Sequence, residues 1–255
     1  MKRFCTQGLF VVAMLTLWAS SVQAESSVWV VQGGKTVVYL AGSCHVLRAS
    51  DHPLPTEFET AYARVRRVIF ELPMGEMDSA EYAQKLMAIA VYADGSTLKE
   101  HLKPAVYAKA EKFCRERQHP FEQYQSFRPW MLSMMLVMRE LSKIGVEPQN
   151  GIDRFFYWKA LKDGKFVGGL ETMDDQIGFL NLLDRHMGNE QVSATVDDLR
   201  TLEDKMAGIL EAWRKGDEDA IEAFNRDAMK DYPLLYQSLI LDRNKKWAAK
   251  IARLA

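Results

Sequence analysis

The chain has 255 residues, with 33 basic and 34 acidic side chains and a formal net charge of −1 at pH 7. Hydrophobic residues make up 48% and charged residues 26%, which is typical of a globular protein with a sizeable core. Because there is no basic excess that could neutralise a phosphate backbone, the composition argues against nucleic acid as a partner.

The first 24 residues have the layout of a secretory signal peptide. Lys2 and Arg3 precede an apolar stretch over residues 8–19, and small residues lead up to Ala24. This stretch is shorter than the ~20 residues that a membrane-spanning helix needs. We therefore expect cleavage after Ala24, export to the periplasm or the medium, no stable transmembrane segment afterwards and a single domain over residues 25–255. A retained N-terminal anchor is the alternative.

Strands are predicted in four short segments. Residues 28–31 and 36–41 are β-branched runs joined by the pair Gly33 and Gly34, which predicts a β-hairpin. Residues 67–71 form the next strand, because Pro73 prevents its extension. Residues 166–170 form a later apolar strand that ends at Glu171.

Beyond Gly75 the apolar period changes from 2 to 3.6, which predicts helices. Residues 130–142, preceded by Pro129 at the first helical position, are apolar on nearly all sides and predict a buried central helix. Another helix is expected from Ile152 to about Leu161. Further helices are predicted over residues 179–183, 199–213, 217–228 and 234–254, with breaks at Gly188, Gly216 and Pro233.

Three of the predicted strands are followed by side chains that can bind a metal or exchange a proton: His45, Glu71 and Glu171. Ligands of open α/β sheets bind beyond the carboxyl ends of the strands, so parallel neighbouring strands would bring these side chains to one edge. An imidazole with two carboxylates suits a divalent ion such as Mn, Co or Zn. The same set could place a general base beside a metal-activated water.

Each of these residues also has an ordinary structural interpretation. His45 could be a packed loop histidine, and the two glutamates could cap helices. Asp153 and Arg154 could belong to a site but more typically start a helix. Cys44 could line the site or support a thiol-dependent activity, and we expect it to stay unpaired with Cys114. The remaining histidines are expected at the surface: His52, His101, His119 and His186.

Several short motifs resemble the TraB/GumN family, which is related to the Tiki metalloproteases and, more distantly, to erythromycin esterase and ChaN-like proteins. The first is a GxxH motif, Gly42-Ser43-Cys44-His45, after the hairpin. The others follow in the family's order: Phe70-Glu71, Arg128-Pro129-Trp130, Gly151-Ile152-Asp153, Gly169-Leu170-Glu171-Thr172, Ala212-Trp213 with Gly216-Asp217, and Arg243-Asn244.

The resemblance implies an α/β fold in which a small central mixed sheet with an N-terminal hairpin is surrounded by many α-helices. It also implies a hydrolase that depends on a divalent metal, Mn or Co before Zn, and that acts on a peptide or a small molecule. The implied metal ligands are His45 and Glu71, and the implied catalytic acids are Glu71 and Glu171. Supporting or substrate-binding roles fall to Gly42, Ser43, Cys44, Arg243 and Asn244.

One element of the family pattern does not occur in this sequence. The pattern places a second GxxH motif on a strand after the Arg243-Asn244 helix, and no such motif occurs before Ala255. Two hypotheses therefore remain open. The first is an exported metal-dependent hydrolase, possibly a peptidase; the second is a non-catalytic binding or regulatory protein on the same scaffold.

Overall fold

The structure is a computed structural model that describes residues 26–33, 36–230 and 232–254. The predicted leader (residues 1–24), the turn residues Gly34 and Lys35 and the side chain of His186 lie outside the described residues. Within them no helix is both long and apolar enough to cross a bilayer.

The described part of the chain is 67% helical and has six short strands. The strands are β1 (Val28–Gly33), β2 (Thr36–Ala41), β3 (Leu47–Arg48), β4 (Arg67–Phe70), β5 (Val146–Glu147) and β6 (Phe166–Gly169). The helices are α1 (Thr56–Arg64), α2 (Met74–Met77), α3 (Ala80–Ala90), α4 (Leu98–His101), α5 (Pro104–Glu116), α6 (Pro129–Lys143), α7 (Ile152–Lys162), α8 (Met173–Asp198), α9 (Leu202–Lys215), α10 (Glu218–Ala228), α11 (Pro233–Tyr236) and α12 (Arg243–Leu254). The expected α/β fold, with an N-terminal hairpin and many helices, is confirmed.

The strand pairing differs from the prediction in one respect. β4 and β6 are parallel neighbours, as expected, but among the described residues β2 pairs only with β1 in the antiparallel hairpin. β3 and β5 form a third two-stranded sheet. The expectation that all three strands before the candidate residues are parallel neighbours is therefore wrong for β2, whose partner among the described strands is the antiparallel strand that precedes it in the hairpin.

Two large apolar clusters support this arrangement. The first lies under β4, β6 and α7 and contains Phe58, Phe156 and Trp213. The second lies between α5, α6 and α8 and contains Phe113 and Leu132. The predicted central helix is confirmed, since most of the inward side chains of α6 are buried.

The predicted breaks in the C-terminal half also correspond to features of the backbone. α8 is kinked at Gly188, whose backbone is not helical. Gly216 ends α9 with a left-handed conformation (φ 64°), which glycine adopts without steric cost. A π-helical segment (Gln237–Asp242) joins α11 to α12, so the last helical stretch begins at Pro233 and continues through Arg243.

Candidate functional site

The loop that carries His45 is held by backbone hydrogen bonds on both sides. The amide of Gly42 donates to the carbonyl oxygen of Ser27 (2.7 Å), and the carbonyl of Gly42 accepts from Nε1 of Trp213 (2.8 Å). The amide of Ile152 donates to the carbonyl oxygen of Cys44 (3.0 Å). The loop after β2 is thereby fixed against the start of α7.

Gly151 permits this close approach between the loop and α7. A Cβ atom at Gly151 would lie 2.1 Å from the carbonyl oxygen of His45, a distance that no real contact allows. A side chain at this position would push the loop away from the helix. The glycine therefore lets the first turn of α7, which contains Asp153, reach the imidazole of His45.

Asp153 orients the ring of His45. Its Oδ2 atom lies 2.7 Å from Nδ1 of His45 and also accepts a hydrogen bond from the hydroxyl of Ser43. The hydrogen bond to Asp153 raises the pKa of His45, although burial opposes the rise. Burial acts to raise the pKa of Asp153, but the bonds from His45 and Ser43 lower it below the usual value. When Nδ1–H donates to Asp153, the neutral imidazole keeps its free lone pair on Nε2.

Glu71 faces the free nitrogen of that ring. It follows directly after β4, and its Oε1 atom lies 4.0 Å from Nε2 of His45. This separation is too long for a direct hydrogen bond, but one small group can contact both atoms across it. Burial raises the pKa of Glu71, while the nearby charges of His45 and Arg243 oppose the rise.

Arg243 joins the two glutamates. Its Nε and Nη2 atoms donate to the two carboxylate oxygens of Glu171 at 2.7 and 2.9 Å, and Nη2 also donates to Glu71 at 3.0 Å. The guanidinium lies 4.7 Å from the ring centroids of both Phe179 and Trp247. Burial acts to lower the pKa of Arg243, but its bonds to the carboxylates raise it, so the arginine stays charged.

Glu171 is the most enclosed of these acids, with a side chain that is 6% exposed. Besides Arg243, it accepts a hydrogen bond from Nε1 of Trp247 (3.0 Å). It does not cap the following helix, since Thr172 and Asp175 form the capping box of α8. The capping alternative therefore does not apply to Glu171.

Arg243 enters the site from the end of the π-helical segment, and its Nη1 atom reaches back to the carbonyl oxygen of Leu239 (3.5 Å). π-Helical turns are often found at functional sites because they change the direction in which side chains project. Arg243 is only 19% exposed, so it does not belong to a solvated charged patch at the surface. Asn244, one position later, is exposed and lines a neighbouring cavity with Trp29 and Leu40.

Two further predictions concern residues around the site. Cys44 and Cys114 are both free thiols, as expected. Burial raises the pKa of the Cys44 thiol to about 11, so little thiolate forms at neutral pH, which argues against a thiol nucleophile. His101 is exposed and His52 is half-buried, but His119 is buried, and its Nε2 atom lies 2.7 Å from Glu140. The expected surface position is wrong for His119, because Glu140 gives its Nε2 atom a charged partner inside the protein.

The donor atoms of the site suit a divalent cation in kind but not in number. His45 presents Nε2 and Glu71 presents Oε1, and Asp153 orients the imidazole as an outer carboxylate does at many metal sites. Both oxygens of Glu171 bond Arg243 instead. Within the described residues no group of three His, Cys, Asp or Glu side chains is arranged to hold a metal. The site supplies two protein ligands, whereas catalytic zinc sites commonly have three.

The structure thus brings His45, Glu71, Glu171 and Arg243 together and adds Asp153 as the closest partner of His45. Asp153 belongs to a motif that stands out in the sequence, Gly151-Ile152-Asp153, but its pairing with a residue 108 positions earlier carries no local signal.

The fold and this cluster define an α/β protein with a group of acidic and basic side chains at the carboxyl end of a parallel strand pair. A family model described as the TraB/PrgY/gumN family matches residues 27–255. The chain belongs to the TraB/PrgY/gumN family. No curated protein and no solved structure matches the chain.

Proposed function

We propose that this protein is an exported hydrolase that cleaves a carbonyl-containing bond, an ester or an amide such as a peptide bond. The observation that carries the proposal is the arrangement of Asp153, His45 and Glu71 in series. A carboxylate fixes one ring nitrogen, and a second carboxyl group with a raised pKa lies 4.0 Å from the other. Pairs of titratable groups with different environments are characteristic of acid–base catalysis.

In the proposed reaction, Nε2 of His45 takes a proton from water, and the resulting hydroxide attacks the carbonyl carbon of the substrate. Glu71 in its protonated form gives its proton to the leaving oxygen or nitrogen as the bond breaks. Asp153 is a positioning residue that stabilises the imidazolium and fixes the tautomer. We assign Glu171 a positioning role as well, because both of its oxygens are engaged in holding Arg243.

Dependence on a divalent metal stays a prediction of the family resemblance. His45 and Glu71 are the residues that would hold Mn, Co or Zn, with water or substrate as the remaining ligands. A bound ion would polarise the carbonyl and acidify water. No step of the reaction above is routed through it, since only two protein ligands face each other at this position.

The second candidate is a non-catalytic binding protein on the same scaffold. It is supported by Arg243, which donates hydrogen bonds to both glutamates and so stabilises the cluster without any substrate. In that case the site would be a structural ion-pair network, which also shifts pKa values.

The two candidates are separated by an activity panel on purified protein. We would assay p-nitrophenyl esters and peptide anilides with EDTA, Mn, Co or Zn, and measure Mn and Co binding by calorimetry. The hydrolase predicts turnover that His45→Ala abolishes and that the control His101→Ala, at an exposed histidine outside the site, retains. Equal turnover by both variants would refute the proposal, and equal Mn and Co binding by wild type and His45→Ala would remove the metal prediction.

A further inference from the structure

A groove lies directly beside the candidate site and has no part in the chemistry above. It has a volume of about 680 Å³ and runs between the β1–β2 hairpin, α10 and the π-helical segment before α12. Sites for small ligands and short peptide segments are commonly clefts of about 300–1,000 Å³, so its size suits a bound segment of substrate.

The walls of the groove are largely apolar. Trp29 and Leu40 are partners in the hairpin register and therefore project from the same face of the two strands. Ile221 of α10 and Tyr236 and Ile240 of the C-terminal helical stretch also line the groove. Leu40 is 37% exposed and contributes apolar surface to this wall of the groove.

The rim of the groove carries negative charge and no positive charge. Glu218 and Glu222 of α10 line it together with the neutral Asn225, and no Lys or Arg is among the described lining residues. Glu222 pairs with Arg226, one turn further along α10. No ion pair between described residues involves Glu218, so its charge is free to attract a cation.

The groove and the site are connected by neighbouring positions in the chain at two points. Leu40 lies two residues before Gly42, where the loop to His45 begins. Asn244 lines the groove, and the preceding residue, Arg243, holds the two glutamates. Successive residues of a helix project about 100° apart, so adjoining faces of α12 border the groove and the site.

We infer that this groove binds the part of a peptide substrate next to the cleaved bond, and that it selects a Lys or Arg side chain beside an apolar or aromatic one. The apolar walls take the uncharged side chain, and the cation is held by the carboxylate of Glu218, with that of Glu222 beside it. This inference rests on the proposed hydrolase function and specifies its substrate class. It also predicts that Asn244 forms a hydrogen bond, as donor or acceptor, with the peptide backbone where the groove meets the site.

The test measures peptide binding, not turnover. Fluorescein-labelled peptides with the sequence pattern Lys-Leu-Lys-Phe and Glu-Leu-Glu-Phe would be titrated in fluorescence anisotropy against the full chain carrying His45→Ala. We expect the cationic peptide to bind more tightly. Glu218→Gln with Glu222→Gln should weaken its binding about five- to tenfold, since each exposed ion pair contributes up to about 1 kcal/mol.

A matched control removes the same amount of charge elsewhere. Glu111→Gln with Glu122→Gln changes two exposed acids that do not line the groove, one in α5 and one shortly after it, and should leave peptide binding unchanged. Equal affinity for the two peptides, or equal losses in the two double variants, would overturn the inference. Equally tight binding of a small cationic amphiphile such as phenethylamine would overturn the assignment to a peptide. Because binding is measured without turnover, these results are separate from the loss of hydrolysis that tests the proposed function.

Discussion

Arg243→Met should destabilise the protein strongly, because it removes the only partner that bonds both oxygens of Glu171 among the described residues. The Glu171 side chain is 6% exposed and Arg243 is 19% exposed, so the pair is largely removed from water. Breaking such a pair from one side leaves a buried charge without compensation and costs roughly 3–5 kcal/mol. We expect a loss of about 3 kcal/mol, since Trp247 still donates one hydrogen bond to Glu171.

Methionine keeps most of the length and apolar contact of the arginine stem, so the loss reports the guanidinium and not a cavity. The measurement is urea denaturation followed by tryptophan fluorescence and circular dichroism. For a chain of this size, about 3 kcal/mol corresponds to a fall of roughly 6–12 °C in Tm. The double variant with Glu171→Gln should recover about 2 kcal/mol of the summed single losses, because neutralising the acid removes the unpaired charge.

The chain contains a matched control for this experiment. Arg154 forms a similar bidentate ion pair with Asp78, with hydrogen bonds of 2.8 and 2.7 Å. The two side chains, however, are 31% and 40% exposed. Arg154→Met should therefore cost no more than about 1 kcal/mol. If both variants lost the same stability, burial would not be the cause, and the reasoning for Arg243 would be refuted.

Three further predictions concern single side chains. Asp153→Asn should lower turnover about 10²–10⁴-fold, because the amide no longer favours the tautomer with a free Nε2; an unchanged kcat would contradict the role of His45 as base. Cys44→Ser should leave turnover unchanged, since burial keeps the Cys44 thiol protonated. A large loss of turnover would instead support the thiol-dependent mechanism. Burial lowers the pKa of His119. As the pH falls below about 6.5, the unfolded state therefore binds a proton at this position before the folded state does. In urea denaturation between pH 7 and 5, His119→Gln should therefore lose less stability than wild type, by at most about 1.4 kcal/mol per pH unit, and parallel curves would contradict this.

Local patterns in the sequence were sufficient for much of the fold. The hairpin, the existence of strands β4 and β6, the buried helix α6 and the breaks at Gly188 and Gly216 all follow from side-chain period and from glycine and proline positions. These features depend on residues a few positions apart, so their physical causes can be seen along the chain.

The pairing of β2 could not be predicted from local patterns in the sequence. Its strand and the histidine that follows were predicted from the sequence, but not that β1 would be its only partner among the described strands. His45 reaches the carboxyl end of β4 through a loop fixed by Gly151, and not through a shared sheet. The burial of His119 was likewise missed, because Glu140 is 21 positions away and its effect depends on packing.

The sequence by itself determined which acidic and basic side chains follow the strands, namely His45, Glu71 and Glu171, and that Arg243 belongs to the last helical stretch. Only the tertiary structure decided their partners, since Asp153 and His45 are separated by 108 positions and Arg243 and Glu71 by 172. The physical reason is that a carboxylate or an imidazole acquires its charge state and its role from groups within about 3–4 Å. Which groups come that close is set by the packing of helices and strands that are distant in the chain.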